Sequence, residues 1–199
     1  GYVQTSLSNV IINSSGVTSQ TLTLAQANLT FKVNLDTGTT GWIEGYSEDG
    51  NKNFYGEIGT DGYARILADA GTYSVSVAPN IPSKSKTGLR LTNFVVTGST
   101  QQQEVNLQPA NIFGTVSPSS KAKQAFVVLS KKINGYWNWF SSSRVDANGG
   151  FFHYGDNGEY RLELYCWGYS SCLRTFSNSF TIASDSKTVD ISVATPNVT

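Results

Sequence analysis

Residues 69–77 read DAGTYSVSV, and residues 156–164 read DNGEYRLEL. Each has an acidic turn residue, then a glycine, then a tyrosine two places on. Beyond the tyrosine, apolar residues alternate with polar ones: Val75 and Val77 in one copy, Leu162 and Leu164 in the other. A period of two marks a strand with one buried face. Gly71 and Gly158 read as turn residues where a side chain would be resisted. Tyr73 and Tyr160 then open the next strand with an inward ring.

Outward from these phrases, a hairpin-like segment recurs at residues 7–28, 91–111 and 176–197, closing each time on asparagine: Asn28, Asn111 and Asn197. Repeats at such a period indicate modular arrays. The organisation expected is a terminal hairpin at 1–27 resembling the end of a preceding repeat, a first β-sandwich at 28–110 and a second at 111–199. Two strands alone are marginal in water, so residues 1–27 need a partner.

No window sustains a helical stripe, and short runs rich in Thr, Val, Ile, Phe and Tyr are cut by Gly, Asn and Asp turns. Asn134-Gly135 is a hairpin-turn pair. The fold class expected is all-β: tandem Greek-key antiparallel β-sandwiches of about seven strands each. Alternation turns inward Leu29, Phe31, Val33, Ile66, Tyr73, Val75, Val77, Leu91, Val96, Val105 and Leu107 in the first unit. In the second it selects Val116, Phe126, Val128, Phe152, Tyr160, Leu162, Leu164, Phe180, Ile182, Val189 and Ile191.

Composition narrows the function. The chain of 199 residues carries 14 basic and 14 acidic residues and one histidine, and its only paired basic residues are Lys131-Lys132. That excludes a nucleic-acid footprint. The sequence shows no signal peptide and no apolar run long enough to span a bilayer. The two cysteines, Cys166 and Cys172, have the spacing of a local disulfide, which implies an oxidising compartment. Closing so short a loop stabilises by about 2 kcal/mol and mainly stiffens it. A secreted or cell-surface location follows as the expectation.

The order of turn and core signals resembles the carboxypeptidase-regulatory-like domains and the related Cna-B and transthyretin-like (prealbumin-like) modules. Ile112 to Val116, Asp146 to Phe151 and Asp156 to Leu162 carry the likeness in the second unit. Phe31 to Val33, Asp61 to Tyr63 and Asp69 to Val75 carry it in the first. The resemblance implies Greek-key sandwiches, often in tandem in secreted or surface-anchored bacterial proteins, that serve as stalks, spacers or accessory domains. Some Cna-B relatives carry an acid-promoted Lys–Asn isopeptide bond. Lys32, Asn106 and either Glu44 or Glu57 are the matching trio, but alternation turns Lys32 to solvent.

Catalytic material is thin. His153 stands in mid-strand and reads as a half-exposed sheet residue, not a triad base. Asp146, Asn148 and Asp156 are oxygen donors in turns and weak calcium candidates; their spacing falls short of a calcium loop, and Asp and Asn favour turns for conformational reasons. Calcium is the one cofactor left open. Residues 136–140, YWNWF, crowd four rings into five positions, which alternation cannot all send inward. Trp137, Trp139, Trp167 and Tyr169 are the candidate ligand-binding rings, either stacking on sugars or covering a neighbouring module. Asn13, Asn28 and Asn197 lie in glycosylation sequons.

The function expected is a non-catalytic structural or adhesive repeat, a stalk or spacer, whose partners are neighbouring repeats and a glycan or surface protein. The rival is a carbohydrate-binding module using the exposed rings of the second unit.

Overall fold

The computed structural model describes residues 25–121, 125–165 and 174–193. The expected hairpin at 1–27 therefore lies almost wholly outside the described residues, as do Cys166, Trp167, Tyr169 and Cys172.

The first sandwich is built from β1 (Leu29–Val33), β2 (Gly41–Ser47), β3 (Asn53–Ile58), β4 (Tyr63–Ile66), β5 (Gly71–Pro79), β6 (Leu89–Val96) and β7 (Gln101–Val105). A sheet ordered β4-β1-β7 faces one ordered β3-β2-β5-β6. All pairs are antiparallel except β1 with β7. The closing strand arrives from the other sheet and runs along β1 in the same direction.

The second sandwich repeats the plan with β8 (Ile112–Ser117), β9 (Phe126–Ile133), β10 (Tyr136–Arg144), β11 (Gly150–His153) and β12 (Gly158–Tyr165). Its last two strands are each broken in two: β13 (Thr175–Phe176) with β14 (Phe180–Ile182), and β15 (Lys187–Thr188) with β16 (Ile191–Ser192). Side chains explain the breaks. Ser177 Oγ accepts the Leu162 N–H at 2.9 Å between β13 and β14. Asp190 Oδ1 accepts both the N–H and the hydroxyl of Thr115 at 2.8 Å between β15 and β16. Each takes a place that a ladder carbonyl would otherwise fill.

Each sandwich has its own buried core. In the first, Phe31 packs between Phe54 and Phe94, and Phe54 meets Tyr73 with ring centroids 5.1 Å apart. In the second, Tyr160 takes Phe140 edge-on at 5.6 Å and stacks on Phe180. Of the inward set chosen by alternation, the first unit buries all but Leu91, which packs half-buried against the core.

The second unit differs in phase. Ala125, Val127 and Leu129 are buried, while Phe126 and Val128 are half-exposed. Phe151, not Phe152, is fully buried. Residues 125–129 are apolar on both faces, so a period of two gives no phase there.

The turns are set by backbone need. Asn134 and Gly135 adopt φ of 53° and 85°, as a two-residue hairpin requires. Gly62 and Gly149, in matching turns, hold φ of 78° and 88°. A Cβ there would sit 2.9 Å from Val33 O or 2.6 Å from Val116 O. Gly71 differs from its expectation: its φ is not positive, and it begins β5 as ordinary strand.

The asparagines that mark the repeat have a structural task. Asn28 donates from Nδ2 to Ala68 O at 2.8 Å and accepts the Ala68 N–H at 2.9 Å. Asn111 makes the same pair with Gly155, at 2.7 and 2.8 Å. Each clamps the strand before the acidic turn, whose tyrosine hydroxyl then bonds Asp69 O or Asp156 O at 2.9 Å. Asn111→Ala leaves both polar groups of Gly155 without that partner and should destabilise the second unit by about 2 kcal/mol. Asn111→Asp keeps the acceptor but turns a carboxylate oxygen onto the Gly155 carbonyl in place of the donor, so it should not recover the loss in urea unfolding. An aspartate variant as stable as the wild type would contradict the two-bond reading.

Candidate functional site: the junction and the cleft beside it

Residues 108–110 join the two sandwiches and are stitched to the first one. Thr87 donates both its N–H and its hydroxyl to Gln108 O at 3.0 Å, and the Ala110 N–H donates to Lys84 O at 2.8 Å. The loop receiving them is itself anchored, since Asp36 accepts from Ser83 at 3.1 Å and from Ser85 at 3.2 Å. Asn111, the next residue, belongs to the clamp of the second unit. No free residue is left between the units, and Pro109 removes a further backbone freedom.

Among the described residues, side chains of the first unit reach across the boundary. Arg90 on β6 donates from Nη1 to Trp139 O at 3.1 Å, and its guanidinium lies over the Trp139 indole at 5.5 Å. Lys84 Nζ lies over the Phe113 ring at 5.5 Å. Cation–π contacts of this kind are each worth about 0.5–1 kcal/mol when exposed.

The crowded rings of residues 136–140 are sorted by a β-bulge between Trp139 and Ser141 on β10. The extra residue lets Phe140 turn into the core against Tyr160 while Trp137 and Trp139 face out. Trp137 is already covered: Arg161 lies 4.8 Å from its ring centre and Lys132 5.7 Å. Trp139 is 38% exposed, and its partner is Arg90. The structure therefore places Trp137 and Trp139 at different sites.

Beside the Arg90–Trp139 contact runs a cleft that sequence reasoning missed. One recess of about 450 Å³ is lined by Trp42, Glu44, Tyr55, Asn80, Phe126 and Arg144, among others. A smaller one of about 190 Å³ lies between Glu44, Tyr46, Ser74, Ser76, Arg90 and Trp139. Burial raises the Glu44 carboxyl above the usual carboxylate range, and a hydrogen bond from Tyr46 offsets this in part. The signal was present in GWIEGYS: with Ile43 inward, Trp42 and Tyr46 fall on the outer face.

The histidine is not where alternation put it. His153 is 2% exposed, and its Nδ1 shares a 2.8 Å hydrogen bond with Ser141 Oγ. It occupies the position that Ile66 holds in the first unit, since each pairs with the first residue of the opening strand, Ile112 or Leu29. Burial, slightly offset by the backbone at Val127, holds it down to about 3. It is a buried core residue.

Asp146 spends Oδ1 on the N–H groups of Asn148 and Gly150, both at 2.8 Å. Asp156 faces Lys131 Nζ at 2.5 Å and the Tyr160 hydroxyl. Burial works against its ionisation, but the hydrogen bonds from Lys131 and Tyr160 prevail and hold its carboxyl below the usual range. Among the described residues no three His, Cys, Asp or Glu side chains gather as a metal site would require.

Lys32 faces solvent and donates to Glu104 on β7 at 2.8 Å. The Asn28 amide is used by its clamp, so glycosylation there would break the clamp.

No family model matches the chain, and no curated protein matches it. Among solved structures, a protein of Bacteroides ovatus assigned as an adhesin is similar at 7% identity and a TM-score of 0.35, over 88% of this chain and 95% of that one. The shaft pilin SpaA of Lactobacillus rhamnosus GG is similar at 12% identity and 0.30, over 88% of this chain and 100% of that one. The Bacillus anthracis TIE protein is similar at 14% identity and 0.29, over 84% of this chain and 34% of that one. The overlaps are too loose for function to be carried across.

Proposed function

We propose that the chain is a non-catalytic structural or adhesive repeat of a secreted or cell-surface protein, whose task is to hold distance and angle. Residues 28–110 and 111–199 are its two working units, and the group it resembles in sequence, the carboxypeptidase-regulatory-like and Cna-B modules, fits that role. The observation that carries this reading is the junction: residues 108–110 are bonded to the loop of the first unit, and Asn111 is locked into the second. A connection with no slack transmits orientation from one unit to the next.

The lone histidine supports the same reading, because a substrate has no route to a Ser141–His153 pair buried at 6% and 2% exposure. A disulfide between Cys166 and Cys172, expected from their spacing, would stiffen the segment it closes. No helix among the described residues is long and apolar enough to cross a membrane.

Small-angle scattering tests the angle. The wild type should fit one fixed arrangement of the two units. The Arg90→Ala/Pro109→Gly variant should fit only a spread of arrangements, with each unit still folded by circular dichroism. A wild type that already requires a freely jointed ensemble would sink the spacer reading.

A further inference from the structure

The face that the first sandwich turns toward the second carries rings around a floor of small side chains. Trp42, Glu44 and Tyr46 follow one another at strand period on the outside of β2, and Tyr55 of β3 lies opposite Glu44. On the other side of β2, the strand β5 presents Ser76 opposite Glu44 and Ser74 opposite Tyr46. Arg90, paired with Ser76, and Trp139 stand beside the serines, and Phe126 and Arg144 stand with Trp42 and Asn80. Glu44 lines both recesses, which adjoin at that residue along the outer face of β2 as a trough. From Trp42 to Tyr46 it runs roughly 13 Å along the strand, the reach of two to three sugar rings.

The chemistry of the walls selects the occupant. Aromatic faces are electron-rich and attract the C–H faces of a pyranose. Between the rings stand a carboxylate, an amide, hydroxyls and guanidinium groups, which both accept and donate. Vicinal sugar hydroxyls do the same. A polyanion would meet Glu44, and a polycation would meet Arg90 and Arg144. Glu44 has no ion-pair partner among the described residues although both arginines line its trough.

We propose that the trough between the two sandwiches binds a neutral oligosaccharide, with Trp42 and Tyr55 stacking on pyranose faces and Glu44 accepting from ring hydroxyls. Both units line the trough, so binding requires them docked. A spacer built this way displays a glycan-binding site at its joint.

The test titrates the full chain with cellohexaose, maltohexaose, chitohexaose, xylohexaose and mannohexaose, reading the indole N–H signals of Trp42 and Trp139 by NMR and the heat by calorimetry. At least one should bind in the micromolar to millimolar range and shift the Trp42 signal. Trp42→Ala and, separately, Glu44→Gln should each weaken it about tenfold or more. Trp137→Ala, on the same outer face of β10 but not lining the trough, should leave it unchanged. Lys84→Ala/Pro109→Gly, which touches the joint but not the trough lining, should weaken binding while the scattering shows the units undocked, which separates loss of the joint from loss of the site. The proposal is overturned if no hexasaccharide shifts Trp42, if binding survives Trp42→Ala and Glu44→Gln, or if Trp137→Ala abolishes it.

Discussion

Lowering the pH from 7 to 4 will destabilise the second sandwich by about 3 kcal/mol, far more than the first. The cause is His153. In the unfolded chain it takes up a proton at its ordinary value of 6.5; folded, burial delays that to about 3. Between those values the unfolded chain binds the extra proton. Stability from this group is therefore full above about 6.5 and falls by about 1.4 kcal/mol per pH unit until about 3. The first unit has Ile66 at the same place and lacks this liability.

His153→Ile with Ser141→Ala gives the second unit its sister's side chain and leaves no hydroxyl orphaned. Urea unfolding followed by resolved NMR signals from each unit, at pH 7 and pH 4, reads the result. The acid loss of the second unit should shrink to that of the first. An acid loss that the double variant leaves unchanged would mean that another group carries it.

Gly114→Ala should destabilise the second sandwich by about 3 kcal/mol or more. A Cβ at Gly114 would lie 2.0 Å from Val189 O, 2.7 Å from its carbonyl carbon and 2.9 Å from Phe151 Cζ. The ring could shift, but the carbonyl could not without moving the closing strand. That strand is held there by the Val189 N–H donating to Phe113 O at 2.9 Å. The thermal midpoint of the second unit should drop while that of the first holds; an unchanged midpoint would show that the closing segment yields freely.

The same glycine shows how two repeats fill one kind of core differently. Phe31 faces Ala64 across β1 and β4, whereas Gly114 faces Phe151 across β8 and β11. The large ring comes from the opening strand in one unit and from its neighbour in the other, so bulk is conserved across the pair although neither position is.

Swaps of this sort limit what one strand can reveal by itself. The alternation of Leu29, Phe31 and Val33, and of Tyr160, Leu162 and Leu164, was legible because polar residues fixed the phase. Phe126 and Phe152 were misplaced because apolar neighbours offered a second phase, and volume decided it: Phe151 fits over Gly114. The bulge at Trp139 was not legible, since the inserted residue shows only against the partner strand. The repeating asparagines were visible from the start, but their task as clamps on Ala68 and Gly155 needed the fold. The trough was half-written in Trp42, Glu44 and Tyr46; its other wall belongs to a unit that no local pattern connects to them.

The rigid joint is the claim from which the spacer role and the glycan trough both proceed. Residual dipolar couplings measured on the intact chain in a weakly aligning medium test it most directly. Fitted separately, the two sandwiches should return the same alignment tensor, in magnitude and in direction, when placed in the docked arrangement with Arg90 over Trp139. Tensors that differ in magnitude between the units would show them reorienting independently and would contradict the account.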